Sequence, residues 1–234
     1  MINSEKKKKI ASESDTQTGI YTGIFAEKLI KMKSKIAITG WPGGNKTLLA
    51  QALSDMTGIP YIRTRTMYEW RKCFHLSETS KMRWKEMFLI AAASFFDRVA
   101  TESYYDRFIS DGASFSELIW LKSHAAKQTR SSMKNERSKL MENLEYISAT
   151  HAAAQYDFIV HAGKGNQEDL YMQLYMKYGM TYREYETENI VETISEIAKD
   201  LHLPVIHSAV SSVFQAKMNL YLTVSIWKPK KFSS

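Results

Sequence analysis

Cys73 is the only cysteine, so the chain can form no internal disulfide and build no thiolate zinc site. Such sparing use of cysteine fits a reducing compartment, and a cytoplasmic setting is expected. Cys73 itself, beside Phe74, is expected to be a small buried residue rather than a nucleophile. Long apolar runs are also scarce. The longest, Met87 to Phe96, falls far short of the roughly 20 residues that cross a bilayer, so no transmembrane segment is expected. The first residues place lysines and then a polar stretch where a signal peptide would need an apolar core. The six histidines show no metal-ligand spacing, and no Gly-x-Ser-x-Gly elbow occurs. Gly40-Trp-Pro-Gly43 lacks the spacing of the dinucleotide fingerprint, and no internal repeat is visible.

What remains is an ordinary globular composition. The chain's 234 residues are enough for one domain with a substantial core. Residues 1–19 are polar and expected to be disordered, with 20–234 forming a single domain. Formal charge is +7, but much of the excess lies in Lys6–Lys9 and Lys228–Lys231. Such runs are usually solvated tails, so no nucleic-acid partner is expected. An anionic substrate is an equally good reason for a basic surface.

The most informative stretch is Lys35-Ile-Ala-Ile-Thr-Gly40-Trp41-Pro42-Gly43-Gly44-Asn45-Lys46-Thr47-Leu48. It reads as a buried strand, a glycine-rich turn and a helix start, the order that phosphate binding requires. The loop lets backbone N–H groups converge on anionic oxygens, and the helix N-terminus adds unpaired donors. Gly40 through Leu48 are therefore the candidate cradle for ATP or another nucleoside triphosphate. Lys46 would reach the outer phosphates and the Thr47 hydroxyl would ligate Mg2+. One departure from Gly-x-x-x-x-Gly-Lys-Ser/Thr is Asn45, which stands at the second glycine. Asparagine visits the left-handed region at lower cost than most residues, so the bend is expected to survive. A glycine-rich turn that binds nothing is the plainer alternative.

Strands are expected at Lys35–Thr39, Ile59–Ile62, Arg107–Asp111, Tyr156–Val160 and Pro204–His207. Helices are expected at Ile20–Lys33, Lys46–Thr57, Met67–Leu76, Ser77–Ala100, Ser114–His124, Leu140–Ala154, Leu170–Tyr178 and Glu186–Leu201. Lys127–Lys139 reads as a loop or an exposed helix, and Leu220–Trp227 alternates like an extra C-terminal edge strand. The order implies an α/β three-layer sandwich around a mostly parallel five-stranded sheet. Ligands of such sheets bind beyond the carboxyl ends of the strands. Gly40, Asp111, His161 and the segment after His207 should gather there.

Asp111 is the candidate acid, holding Mg2+ or deprotonating a hydroxyl, with a turn-forming aspartate before Gly112 as the bland reading. Arg63 and Arg65 suit an acceptor bearing carboxylate or phosphate, although solvent-facing arginines explain them equally well. No carboxylate stands at that strand end, and Glu69 is the nearest. Arg183 and Lys164 are candidate lid cations over the triphosphate. Tyr68 and Trp84, with Trp41 and Trp70, could stack on a planar acceptor, although aromatics at helical spacing are more often core.

These residues resemble the nucleoside and nucleotide kinase branch of the P-loop fold. Gly40–Thr47 is similar to the Walker A loop, and Leu53–Trp70 resembles the segment after it in cytidylate kinases. Phe95–Leu118, with Phe108-Ile-Ser-Asp111-Gly-Ala-Ser, is similar to deoxynucleoside and ribosylnicotinamide kinases, as are Tyr156–Val160 and Gly179–Val205. The resemblance implies Lys46 on the β- and γ-phosphates, Thr47 on Mg2+, Asp111 as the strand-three acid and Arg183 as a lid arginine. It departs at Asn45, and at Arg63–Arg65, which occupy the place of the usual strand-two acid. The expected function is ATP- and Mg2+-dependent phosphoryl transfer to a small hydroxyl- or phosphate-bearing acceptor. A nucleotide-dependent ATPase switch acting on a protein partner, or a degenerate non-catalytic loop, are the alternatives. The partner expected is a small molecule; a homodimer is left open.

Overall fold

Strand β1 (Lys35–Gly40) is buried from Ile36 onward, and its alternation sets the layers. Ile36 and Ile38 enter one hydrophobic cluster, and Ala37 enters the other. β4 (Phe158–Ala162) repeats the device, with Phe158 and Val160 on the first side and Ile159 on the second. A strand buried on both faces needs helices above and below it. The computed structural model describes residues 35–40, 45–76, 78, 82–125, 134–163, 165 and 168–205.

β2 (Tyr61–Ile62), β3 (Phe108–Asp111) and β5 (Tyr182–Tyr185) complete a five-stranded sheet of order β2-β3-β1-β4-β5. Every pairing is parallel. Helices α1 (Lys46–Thr57) and α7 (Ile190–Asp200) supply the cluster on the Ile36 side. α1 buries Leu49, Ala50, Leu53 and Met56, and α7 buries Ile190, Ile194, Ile197 and Ala198, each a helical stripe. On the Ala37 side pack α3 (Trp84–Glu102), α4 (Ser116–Ala125), α5 (Lys134–Gln155) and α6 (Glu168–Lys177). Short α2 (Met67–Cys73) buries no residue fully but leans Met67 and Trp70 on that cluster. Glu145 of α5 ties this layer together through Lys122 of α4 and Lys177 of α6.

The expected architecture holds, and several boundaries move. α3 starts at Trp84 rather than Ser77. Glu86 turns back to accept from the Arg83 backbone N–H at 2.7 Å, so the helix opens there. The fifth strand is Tyr182–Tyr185, not Pro204–His207. Leu203–Val205 are not in a strand, and His207 lies outside the described residues. Cys73 is exposed, contrary to expectation. The expected N-terminal helix, the tail 1–19 and the strand at Leu220–Trp227 also lie outside the described residues.

Gly40, at the end of β1, has φ +127°, and a Cβ there would stand 2.2 Å from the Ala162 carbonyl oxygen. The neighbouring strand passes too close for any side chain, so the chain leaves the sheet at this point only as glycine.

Candidate functional site

The parallel register carries the ends of three strands to one edge. Ile38 pairs with Asp111, Thr39 with His161 and Gly40 with Ala162. Gly40, Asp111 and His161 therefore gather as expected. Trp41, Pro42, Gly43, Gly44 and Lys164 lie outside the described residues.

Asn45 adopts φ 56° and ψ 19°, the left-handed conformation its chemistry allows, and its carbonyl accepts from Leu49 at 2.8 Å to start α1. The first turn of α1 has no side-chain cap and no acidic residue. α2 and α7, by contrast, are capped by Thr66 and Asn189, with Glu69 and Glu192 in their first turns. The uncapped turn carries Lys46, Thr47 and the half-buried Leu48. The Thr47 hydroxyl donates to Asp111 Oδ2 at 2.7 Å, and the Tyr61 hydroxyl donates to the same oxygen at 3.2 Å. Asp111 therefore joins the helix start to the end of β3, across a sequence separation of 64 residues.

Charge around this point is balanced. Burial lowers the Lys46 ammonium from its ordinary value, and the Asp111 and Glu117 carboxylates oppose that shift. Glu117, in the first turn of α4, is pushed above the usual carboxylate range by burial, against the pull of Arg98. Its Oε2 is buried without a hydrogen-bond partner among the described residues. His161 is pulled down to about 4, by burial first and by Lys46 second, so its ring is neutral near pH 7.

Behind Asp111 lies a buried polar network absent from the sequence-based site. Arg98 is 2% exposed, and its guanidinium donates to Ser110 Oγ at 2.6 Å, to the Gly112 carbonyl at 3.0 Å and to the Asp111 carbonyl at 3.0 Å. Glu102 is fully buried, 3.7 Å from Arg98, and accepts from Ser110 at 2.7 Å and Tyr156 at 3.0 Å. Gly112 has φ +99°, and a Cβ there would meet Arg98 Nη2 at 2.9 Å, so glycine leaves the arginine its place. Arg98 and Glu102 stand one turn apart on one helix, a spacing that also suits an exposed ion pair, and sequence alone gave no reason to bury them.

The remaining candidates fall elsewhere. Arg183 lies on edge strand β5, in register with Val160, and pairs with Glu196 and Asp200 of α7. It belongs to a strand and not to a lid, because its side chain turns to the helix beside it. Trp84 is 5% exposed within the core, stacked on Phe88 at 5.2 Å with the Arg137 guanidinium over its ring. Its faces are occupied, which corrects the stacking assignment. Arg63 pairs with Glu69 at 3.2 Å, and Arg65 pairs with Asp97 at 3.5 Å while lying over Trp70. Tyr68 is exposed between Arg71 and Lys72.

The sheet is parallel throughout in the order 2-3-1-4-5, with α1 following the central strand β1 in the chain. Among solved structures, the chain is similar to deoxyadenosine kinase from M. mycoides with bound dATP, at TM-score 0.57 and 15% identity, covering 72% of this chain and 99% of that one. The same kinase with the products dCMP and a flexible dCDP matches at TM-score 0.54 and 14% identity, covering 72% and 98%. No family model matches the sequence, and no curated protein matches it. The likeness therefore establishes the fold. Among the described residues no helix is long and apolar enough to cross a membrane.

Proposed function

We propose that this chain is an ATP- and Mg2+-dependent phosphotransferase for a small hydroxyl- or phosphate-bearing acceptor of nucleoside-like kind. The observation that carries the reading is the 2.7 Å contact of Thr47 with Asp111 beside Lys46, at the uncapped start of α1. The structural neighbours add support, since their bound molecules are nucleotides. Thr47 and Asp111 present a hydroxyl and a carboxylate oxygen, hard ligands of the kind Mg2+ takes from proteins in small number. These two residues would hold magnesium, which would supply positive charge to offset that of the phosphates. Lys46 neutralises charge on the outer phosphates as the acceptor oxygen attacks phosphorus and the bond to the bridging oxygen breaks. The rate then comes from positioning and electrostatics.

A thermal-unfolding panel tests this. Mg-ATP at about 100 times its dissociation constant should add roughly 2.7 kcal/mol of stability. No shift with any triphosphate would support a degenerate loop. A shift without acceptor-dependent ATP consumption, across nucleosides, nucleotides, amino acids and sugars, would favour a nucleotide switch.

A homodimer is part of the proposal. Leu89 and Phe96, seven residues apart on α3, are exposed, as is Ile147 on α5. The Phe95–His151 ring contact at 5.9 Å sets these helices side by side. Light scattering should give twice the chain mass, and Phe96→Glu should return the monomer. A wild-type chain that is monomeric at micromolar concentration would rule out this assembly.

A further inference from the structure

Helix α6 follows β4 and sends two tyrosines under the start of the cradle. Tyr171 is 5% exposed, and its hydroxyl donates to the Gly40 carbonyl at 3.3 Å, the last backbone acceptor before the loop. The Tyr171 hydroxyl also hydrogen-bonds the Ser116 hydroxyl, which accepts from the Ala113 N–H at 2.9 Å in the turn following Asp111. One turn along α6, the fully buried Tyr175 places its hydroxyl 2.5 Å from Thr39 Oγ1 and 3.0 Å from His161 Nδ1. The ring of His161 packs edge-on against Tyr171 at 5.0 Å, and Phe115 does so at 6.1 Å. Tyr175 anchors α6 to the ends of β1 and β4, and Tyr171 then reaches from that anchor to the last residue of β1 and to the turn after Asp111.

We propose that Tyr171 is a positioning residue for triphosphate binding: its hydroxyl holds the Gly40 carbonyl and so fixes the last peptide of β1, six residues before Lys46. Gly40 already lies close against the Ala162 carbonyl, and this hydrogen bond adds a second restraint on the end of β1. The inference rests on the kinase reading above. It goes further in assigning the hold on Gly40 to a helix distant in sequence, through a residue 131 positions away.

Tyr171→Phe keeps the ring contacts and removes only the hydroxyl. Calorimetric titration of Mg-ATP into the full chain should show the dissociation constant raised about tenfold. The midpoint of unfolding without nucleotide should stay within about 3 °C of wild type. With an acceptor that turns over, KM for ATP should rise while kcat and the acceptor KM hold. Equal ATP affinity in the two proteins overturns the inference. So does a loss of affinity matched by a large drop in the nucleotide-free midpoint, since that marks a purely structural residue. A wild-type chain that binds no triphosphate overturns the kinase reading itself, a result distinct from equal, measurable affinities.

Discussion

Lys46→Ala is expected to lower kcat/KM for the triphosphate by about a thousandfold while the chain stays folded. Lys46 opens α1 at the proposed phosphate site, and its charge interacts with Asp111 and Glu117. On the proposed reading, charge on the migrating phosphoryl group would have no substitute cation on α1, whose first turn otherwise carries backbone N–H groups and the Thr47 hydroxyl. Folding should survive because the buried stripe of α1 begins at Leu49, and alanine favours a helix. A second readout does not need turnover. Lys46 is one of the two causes that hold His161 down at about 4, so its removal raises that value. Burial is the larger cause and persists, so the ring should still titrate below 6.5, the ordinary histidine value. NMR titration of the histidines measures this directly. Turnover close to wild type would remove Lys46 from the chemistry, and an unmoved His161 would separate it from the β4 edge.

Glu102→Ala should cost roughly 3–5 kcal/mol, because it strands a buried guanidinium. Glu102 is fully buried and is the only carboxylate that forms an ion pair with Arg98 among the described residues. For a chain of this size the loss corresponds to about 10 °C in the unfolding midpoint. Urea titration should place Glu102→Gln between wild type and alanine, since the amide oxygen can still accept from Ser110 or Tyr156. The effect reaches the site, because Arg98 holds the carbonyls of Asp111 and Gly112. Residual folded Glu102→Ala should therefore also turn over more slowly. A urea midpoint equal to wild type would show that the pair contributes nothing.

Where sequence reading succeeded, the signal was short-range. Lys35–Thr39 and Lys46–Thr57 were recognisable from a buried run and a helical stripe, and both elements stand almost where expected. Asn45 was legible as a left-handed bend because side-chain chemistry alone permits it. β5 was missed for the converse reason. Arg183 and Glu184 are exposed on an edge strand, so Tyr182–Tyr185 shows little of the apolar character that marks a buried strand, and its arginine read as a lid cation. Pro204–His207 looked strand-like because it is apolar, but Pro204 and Val205 are not in a strand. Trp84 fitted either a stacking platform or the core, and only packing against Phe88 and Arg137 decided between them.

By itself, then, the order of residues settled the alternating α/β plan, the bend at Asn45 and the cluster of strand ends, because periodicity and turn chemistry act within about ten residues. Tertiary structure alone decided that Thr47 meets Asp111, that Arg98 and Glu102 are buried behind it, that Glu117 joins the charge balance and that Tyr171 reaches Gly40. Each of these depends on strand order and helix placement, and whether a charged side chain faces water or a partner is fixed only when distant segments pack.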